Sequence, residues 1–314
     1  MFIAFWNLEN LFDIETSTER QDWLKIRLGK ELQGWTAAVL EAKLDQLAAG
    51  IKAMNSGAGP DVLGVCEVEN RPVLEKLARK LDLPGRSYKV AHENSRDGRG
   101  IDVAVIYDGK LFTVDGKWSH WVMRRTGTRD LLQVNLKTRD AAAETLVVIV
   151  NHWPSRSGGE HASEPYRKLA GETLAYWHSR IWEVLGKDAL IVAMGDFNDE
   201  PFNRSLTDYA LADRERQKVL RAASAPRFLN LMLPLLAAEG SYVFDGRKNM
   251  LDQFLVSRGL LNATGRFRLR DGAVSIIRPP GVTGAPVRFS RPSETGGVNT
   301  AGYSDHFAIG LKLG

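Results

Sequence analysis

The chain has 314 residues, 44% of them apolar and 25% charged, with a net charge of +4. Those proportions exclude a disordered chain and suit a globular protein long enough to bury a sizeable core. A single cysteine, Cys66, excludes an intrachain disulfide, and no apolar run approaches the 18 or so residues of a membrane-spanning helix.

In chain order, the first element is a strand, Phe2-Ile-Ala-Phe-Trp, which runs into Asn7-Leu-Glu-Asn10. Residues 13–34 are polar and read as a loop with room for a short helix. Val39, Leu40, Leu44, Leu47, Ile51 and Met54 recur at helical spacing and predict a helix over 35–54, with Thr36 as its cap. The apolar run 61–66 predicts a strand that delivers Glu67-Val-Glu69-Asn70, followed by a helix over 72–81. Strands over 88–92 and 102–107 form a pair joined by a polar loop, 122–129 is a loop or hairpin, and 131–137 is another strand. Residues 145–150 form a strand ending at Asn151-His-Trp-Pro-Ser-Arg156. The longest helix covers 164–185, with Leu169, Leu174, Trp177, Ile181 and Leu185 on one face. Beyond it the run Ala189-Leu-Ile-Val-Ala ends in Met194-Gly-Asp-Phe-Asn-Asp-Glu-Pro201. Asp252 precedes Phe254-Leu-Val, and Tyr303-Ser304 leads to Asp305-His306.

Each apolar run thus delivers a carboxylate, amide or imidazole at its edge, as an active site assembled from many strand ends would. Asp196 and Asn198, one residue apart, point to the same side of an extended backbone. Strands arrive mostly as neighbours with helices inserted between blocks, which predicts mixed, largely antiparallel sheets. No linker divides the chain before residue 270, so one domain spans 1–314; the irregular stretch 278–302 reads as an active-site loop. Strand pattern from residue 2 leaves no room for a leader, and a cytoplasmic location is the expectation.

The ordered set Trp6-Asn7 with Asn10, Glu67, Asn151-His152, Gly195-Asp196-Phe197-Asn198, Leu251-Asp252 and Ser304-Asp305-His306 resembles the endonuclease/exonuclease/phosphatase superfamily. The wording Asn7-Leu-Glu-Asn-Leu-Phe-Asp13 and Glu67-Val-Glu-Asn70 looks like a bacterial branch of it, and the resemblance runs from end to end. It implies a four-layered α/β sandwich, in which two mixed, mainly antiparallel sheets are flanked by helices, and metal-dependent cleavage of a phosphoester.

Residue chemistry agrees with that implication. Glu67 is the first choice as ligand for Mg²⁺ or Mn²⁺, because hard cations prefer carboxylate oxygen, with Asn7 and Asp305 as auxiliary ligands or water holders. Asp196 would orient or deprotonate the attacking water, and Asn198 would hydrogen-bond the scissile phosphate. His306 would donate to a phosphate oxygen while Asp252 sets its tautomer and raises its pKa, and His152 would contact the phosphate from the other side. Arg129 is a phosphate-directed candidate, Asn10 a substrate contact, and Arg156 either a substrate contact or a surface charge. Glu69, Asp199 and Glu200 read as solvated or supporting groups, and His92, His120, His161 and His178 match no motif. Zinc is disfavoured because no Cys/His cluster has ligand spacing, and neither a nucleotide-type glycine loop nor a Gly-x-Ser-x-Gly elbow is present.

For the substrate, a nucleic acid is the first expectation. It rests on the mild basic balance, on 27 Arg against 15 Lys, and on arginine-bearing loops at 96–99, 124–129, 156 and 278–291. A phosphatase or phosphodiesterase acting on a small or lipid-linked phosphoester is the first alternative. A catalytically inactive binding module is the second, and the presence of every acid, amide and imidazole of the set weighs against it.

Overall fold

The computed structural model describes residues 1–314. Along the chain, β1 (Phe2–Leu11) leads through α1 (Asp22–Leu28) and α2 (Ala37–Ala53) to β2 (Val62–Val68) and α3 (Arg71–Lys80). The strands β3 (Tyr88–His92), β4 (Asp102–Asp108), β5 (Phe112–His120), β6 (Leu131–Thr138) and β7 (Thr145–His152) follow. The long helix α4 (Glu160–Leu185) precedes β8 (Leu190–Asp196), β9 (Ala212–Asp213), α5 (Arg216–Arg221) and β10 (Phe228–Asn230). A small hairpin of β11 (Tyr242–Phe244) and β12 (Arg247–Asn249) leads to β13 (Asp252–Val256), α6 (Arg258–Asn262), β14 (Leu269–Ile277) and β15 (Ala308–Leu313).

One sheet has the order β14-β15-β1-β2-β4-β3 and the other β5-β6-β7-β8-β13-β10-β9. Parallel pairing occurs at β1/β2, β7/β8 and β9/β10; every other pairing in the two sheets is antiparallel. The sheets face each other across a core that includes Ile3, Phe5 and Val105 from one and Val134, Val148, Met194 and Phe254 from the other. Alternate residues of the same strands point outward, as the two-residue period requires. On one side Ala4, Trp6, Leu63 and Val65 lie under Leu40, Leu44 and Leu47 of α2 and Leu74 and Leu77 of α3. On the other, Val147, Ile149, Ile191 and Ala193 lie under Ala170, Leu174 and Ile181 of α4. The central strands are therefore buried on both faces, which is why they read as unbroken apolar runs. The result is the expected four-layered sandwich. No helix is long and apolar enough to cross a membrane.

Local signals set several boundaries. Thr36 Oγ1 accepts from Val39 N at 3.3 Å, and Asn70 Oδ1 accepts from Val73 N at 2.9 Å, so both helices begin on capping side chains. Helix α4 starts at Glu160, four residues before the predicted start at 164, and carries Pro165 inside it. Two long strands, β5 and β14, were not anticipated. Both are sheet edges, and their sequences, Phe-Thr-Val-Asp-Gly-Lys-Trp-Ser-His and Leu-Arg-Asp-Gly-Ala-Val-Ser-Ile-Ile, carry the charges and glycine that suit an edge and blur the apolar pattern. Residues 278–302 contain no helix or strand, as expected of a loop.

Candidate active site

The strand registers place the polar residues. In the seven-stranded sheet Asp196, the last residue of β8, lies opposite His152 at the end of parallel β7 and opposite Asp252 at the start of antiparallel β13. Three adjacent strand ends thus present His152, Asp196 and Asp252 side by side. In the six-stranded sheet Asn7 of β1 lies beside Cys66 of β2, immediately before Glu67. Asn7 joins the two sheets: its Nδ2 donates to Asp196 Oδ2 at 3.1 Å. His306 is pinned from β1, since Trp6 Nε1 donates to its carbonyl at 2.9 Å and Ser304 Oγ donates to Asn7 O at 2.7 Å.

Around these strand ends opens a cleft of about 380 Å³ lined by Glu67, His152, Asp196, Asn198, Asp305 and His306, with Tyr242 and Phe244 of the small hairpin, Arg99 and Arg156 at its margins. Asp252 lies beneath it with no exposure and holds His306 Nδ1 at 2.7 Å from its Oδ2. His306 Nε2 is 3.9 Å from Asp196 Oδ2, and the Tyr242 ring is 4.7 Å from the imidazole between centroids. His152 Nε2 lies 3.7 Å from Glu67 Oε1 and 3.8 Å from Asp196 Oδ2.

Backbone strain aims several of these groups. Glu67 has φ 61° where β2 slips register against β4 between Cys66 and Val68, so the bulge turns its carboxylate into the cleft. Asn10 (φ 54°) and Asn198 (φ 50°) share the left-handed region. Gly195 admits the close approach of β7: a Cβ there would stand 2.2 Å from Asn151 O.

The electrostatics divide the ionisable groups. Burial, reinforced by the charges of Arg129, Arg99 and His306, pushes His152 well below 6.5, so this imidazole is neutral. Burial also works against protonation of His306, but Asp252 and Asp196 outweigh it and hold His306 well above 6.5. Burial raises Asp196 to about 7, against the pull of His306, and raises Asp305 to about 6. One neutral and one charged imidazole therefore face a group of carboxylates that outnumbers the local cations.

That surplus of oxygen donors is what a divalent hard cation fits. Glu67 and Asp305 line the cleft with side chains 15% and 27% exposed, and the cation nearest Asp305 is Arg288 Nε at 3.9 Å. A second grouping, Asp196, Asp252 and His306, has ligand atoms within 4.8 Å of one another. There the 2.7 Å hydrogen bond already occupies His306 Nδ1, and Asp252 has no exposure, so two of the three residues are committed to each other. Glu67 and Asp305 are the better holders.

The remaining expected residues occupy different places. Asn7 is buried beneath Asp196, with its Oδ1 accepting from Glu9 N at 3.0 Å. Asn10 meets the cleft through its backbone, donating from N to Glu67 Oε2 at 2.9 Å. Asn198 keeps one Nδ2 hydrogen on Trp153 O at 3.0 Å, which leaves the other free to donate. Arg156 bridges Asn198 O at 2.7 Å and Asp199 Oδ1 at 3.1 Å on the cleft wall. Arg129 does not reach this cleft: it is buried against Asp97 at 2.9 Å and the carbonyls of His152 and Trp153. Glu69 and Asp199 are buried in ion pairs with Arg20 at 2.6 Å and Arg167 at 2.8 Å, so neither is solvated.

Lys43 and Glu9 were missed. Lys43 is fully buried, 3.7 Å from Glu9 Oε2, and donates to Tyr303 O at 3.0 Å. Glu9 in turn accepts from Arg288 Nε at 2.7 Å and Phe289 N at 2.9 Å, tying the 278–302 loop under the cleft. The available signal was a lysine on the same stripe as Leu40, Leu44 and Leu47.

Comparison with known proteins adds four findings. The family model described as Endonuclease/Exonuclease/phosphatase family matches residues 2–314. Comparison with curated proteins gives no match. Among solved structures, truncated TDP2 of Caenorhabditis elegans is similar at 14% identity and TM-score 0.57, over 99% of this chain and 96% of that one. A mannosyl-6-phosphatase of Bacteroides thetaiotaomicron is similar at 16% identity and TM-score 0.56, over 100% and 99% of the two chains.

Proposed function

The chain belongs to the endonuclease/exonuclease/phosphatase family, and from that premise we propose that it acts, as one catalytic domain over 1–314, as a nuclease that cleaves phosphodiester bonds of DNA or RNA. The observation that carries this reading is the side-by-side placement of His152, Asp196 and Asp252 on three neighbouring strand ends, with His306 clamped on Asp252.

Asp196, held by Asn7 Nδ2 on one oxygen and by Asn198 N at 2.9 Å on the other, orients a water and takes its proton. His306, charged, donates from Nε2 to a non-bridging oxygen as negative charge builds on the phosphate. Neutral His152 donates from the opposite wall, which fixes the phosphate in line with the water; the free Asn198 Nδ2 hydrogen adds a third contact. Mg²⁺ or Mn²⁺ held by Glu67 and Asp305 would supply Lewis-acid stabilisation of the same phosphate. Asn7 supports Asp196 rather than standing open to a ligand, and Arg129 holds the His152–Trp153 backbone in place.

The second reading is a phosphatase or phosphodiesterase for a small or lipid-linked phosphoester; the Bacteroides thetaiotaomicron neighbour that shares the fold is named as a mannosyl-6-phosphatase. The test is incubation with Mg²⁺ or Mn²⁺ and labelled single- and double-stranded DNA and RNA, beside bis(p-nitrophenyl) phosphate, with EDTA and Glu67→Gln controls. Metal-dependent cutting of a polynucleotide, lost in the variant, establishes the nuclease. Cleavage of the small diester alone sinks it and selects the second reading.

A further inference from the structure

Beside the catalytic cleft lies a second cavity, of about 430 Å³, that shares Arg99, Ser155 and Ser157 with it. Its lining includes Arg99, Arg124, Arg129 and Tyr166 and not one carboxylate, whereas the catalytic cleft carries Glu67, Glu160, Asp196 and Asp305. Arg129 is neutralised by Asp97 at 2.9 Å, and Arg99, 44% exposed, sits only loosely on the same acid at 3.9 Å. Arg124 has no acid at all. Its guanidinium lies 4.1 Å from the Tyr166 ring centre, and its buried Nε has no hydrogen-bond partner. A planar donor held on an aromatic face with an unused N–H is prepared for an anion.

Two further features make this a built site. The loops carrying Arg96–Arg99 and Arg124–Arg129 are pressed together at Gly127, where a Cβ would stand 1.8 Å from Arg96 O. The start of α4 completes the wall with Gly158 and Ala162, and its cap residue Gly159 has no side chain to satisfy the first amides. The arginines of the 278–291 loop contrast with these. Arg278, Arg288 and Arg291 are all paired, with Glu239, Glu9 and Glu31, at 2.6, 2.7 and 2.5 Å.

We propose that this cavity is a second anion subsite, which holds the phosphate next to the scissile one and so selects a polynucleotide strand over a substrate with a single phosphate. The inference rests on the nuclease reading above and assigns the residues by which that site would take a polynucleotide strand. Arg124 supplies the charged contact, and the shared Ser155–Ser157 loop is the bridge between the two phosphates.

The test uses the full chain, Arg124→Gln, and Ala162→Glu, which puts a carboxylate into the cavity from an exposed helical position. Binding of a labelled oligothymidylate of about 12 nucleotides is measured in EDTA by fluorescence anisotropy at several salt concentrations. Both variants should bind at least about fivefold more weakly, and the salt dependence of Arg124→Gln should flatten by about 0.7 in log–log slope. With metal, the KM ratio of oligonucleotide to bis(p-nitrophenyl) phosphate should rise by the same factor. Unchanged affinity in both variants overturns the subsite. So does loss confined to Arg124→Gln, which would report only lost packing on Tyr166. If the wild type cuts the small diester but neither binds nor cuts the oligonucleotide, the subsite is wrong and the phosphodiesterase chemistry stands. Oligonucleotide binding that weakens in both variants, in a protein that cleaves neither substrate, supports the subsite and removes the hydrolase reading instead.

Discussion

His306 Nδ1 lies 2.7 Å from Asp252 Oδ2, and the strand neighbour of Asp252 is Asp196, whose Oδ2 lies 3.9 Å from the other nitrogen of the same imidazole. One ring is thus clamped between two carboxylates on adjacent antiparallel strands, in a site that burial would otherwise keep neutral. The β8/β13 register thus sets the charge of the imidazole proposed to donate to the phosphate.

Asp252→Asn removes the larger of the two attractions. Its expected effect is a fall of about 10²–10⁴-fold in kcat on a phosphodiester, with the alkaline limb of the kcat–pH profile moved to lower pH because His306 gives up its proton more readily. A variant whose limb stays in place would show that another group titrates there. Stability follows the same sign. The folded pKa of His306 is raised above 6.5, so its contribution is complete below that value and lost as pH rises through the folded one. The melting-temperature gap between wild type and His306→Gln should therefore narrow as pH increases.

Metal binding and proton release should be linked. Asp196 is raised to about 7 and Asp305 to about 6, so the metal-free protein holds protons that a cation must displace. Apparent Mn²⁺ affinity should rise from about pH 5 to about pH 8, and calorimetry in buffers of different ionisation enthalpy should show protons leaving. A carboxylate raised on folding stabilises the fold fully below its ordinary value of 3.8 and loses that contribution as pH rises to the folded value, so the protein in EDTA should lose stability from about pH 4 to about pH 7. At about 100 times its Kd a bound cation restores about 2.7 kcal/mol. Glu67→Gln should remove that gain; a full thermal shift in the variant would discard Glu67 as a holder.

Lys43→Met leaves Glu9 buried with Arg288 as its remaining cation. Both Lys43 and Glu9 are out of solvent, with side chains 0% and 3% exposed, so the loss should approach the about 3–5 kcal/mol of a broken buried pair. Urea unfolding reads it directly. Lys25→Ala, which removes the solvent-facing pair with Asp22, is the control and should leave the midpoint where it is. Equal midpoints for all three proteins would mean Lys43 supports nothing.

Gly195→Ala should cost about 1–3 kcal/mol by overpacking, because the new methyl meets backbone, Asn151 O, at 2.2 Å rather than a side chain that can swing away. As β7 shifts, His152 loses its place beside Asp196, and kcat should fall with stability. Thermal melting and steady-state rates on one preparation check both; wild-type kcat in a folded variant would mean that this alignment is not needed for turnover.

Sequence alone was enough for the elements buried on both faces and for the polar residues at their ends. An apolar run such as Thr145-Leu-Val-Val-Ile-Val has one stable environment, a central strand, and Asn151-His152 must then emerge at its tip. The cap at Thr36 was legible for the same reason, since it satisfies an amide three residues away. What depends on neighbours distant in the chain was not. The edge strands β5 and β14 are strands because an adjacent strand offers hydrogen bonds, and their own residues say little of it. Lys43 is buried rather than exposed because Glu9 lies beneath it. Arg129 and Arg124 line one cavity five residues apart on one loop, yet Arg129 is paired with Asp97 and supports β7 whereas Arg124 has no acid beside it. Local chemistry determined which groups this protein presents. Only the packing of two sheets, through register, burial and unlike charges brought within 4 Å, decided which groups face one another and which imidazole carries the proton.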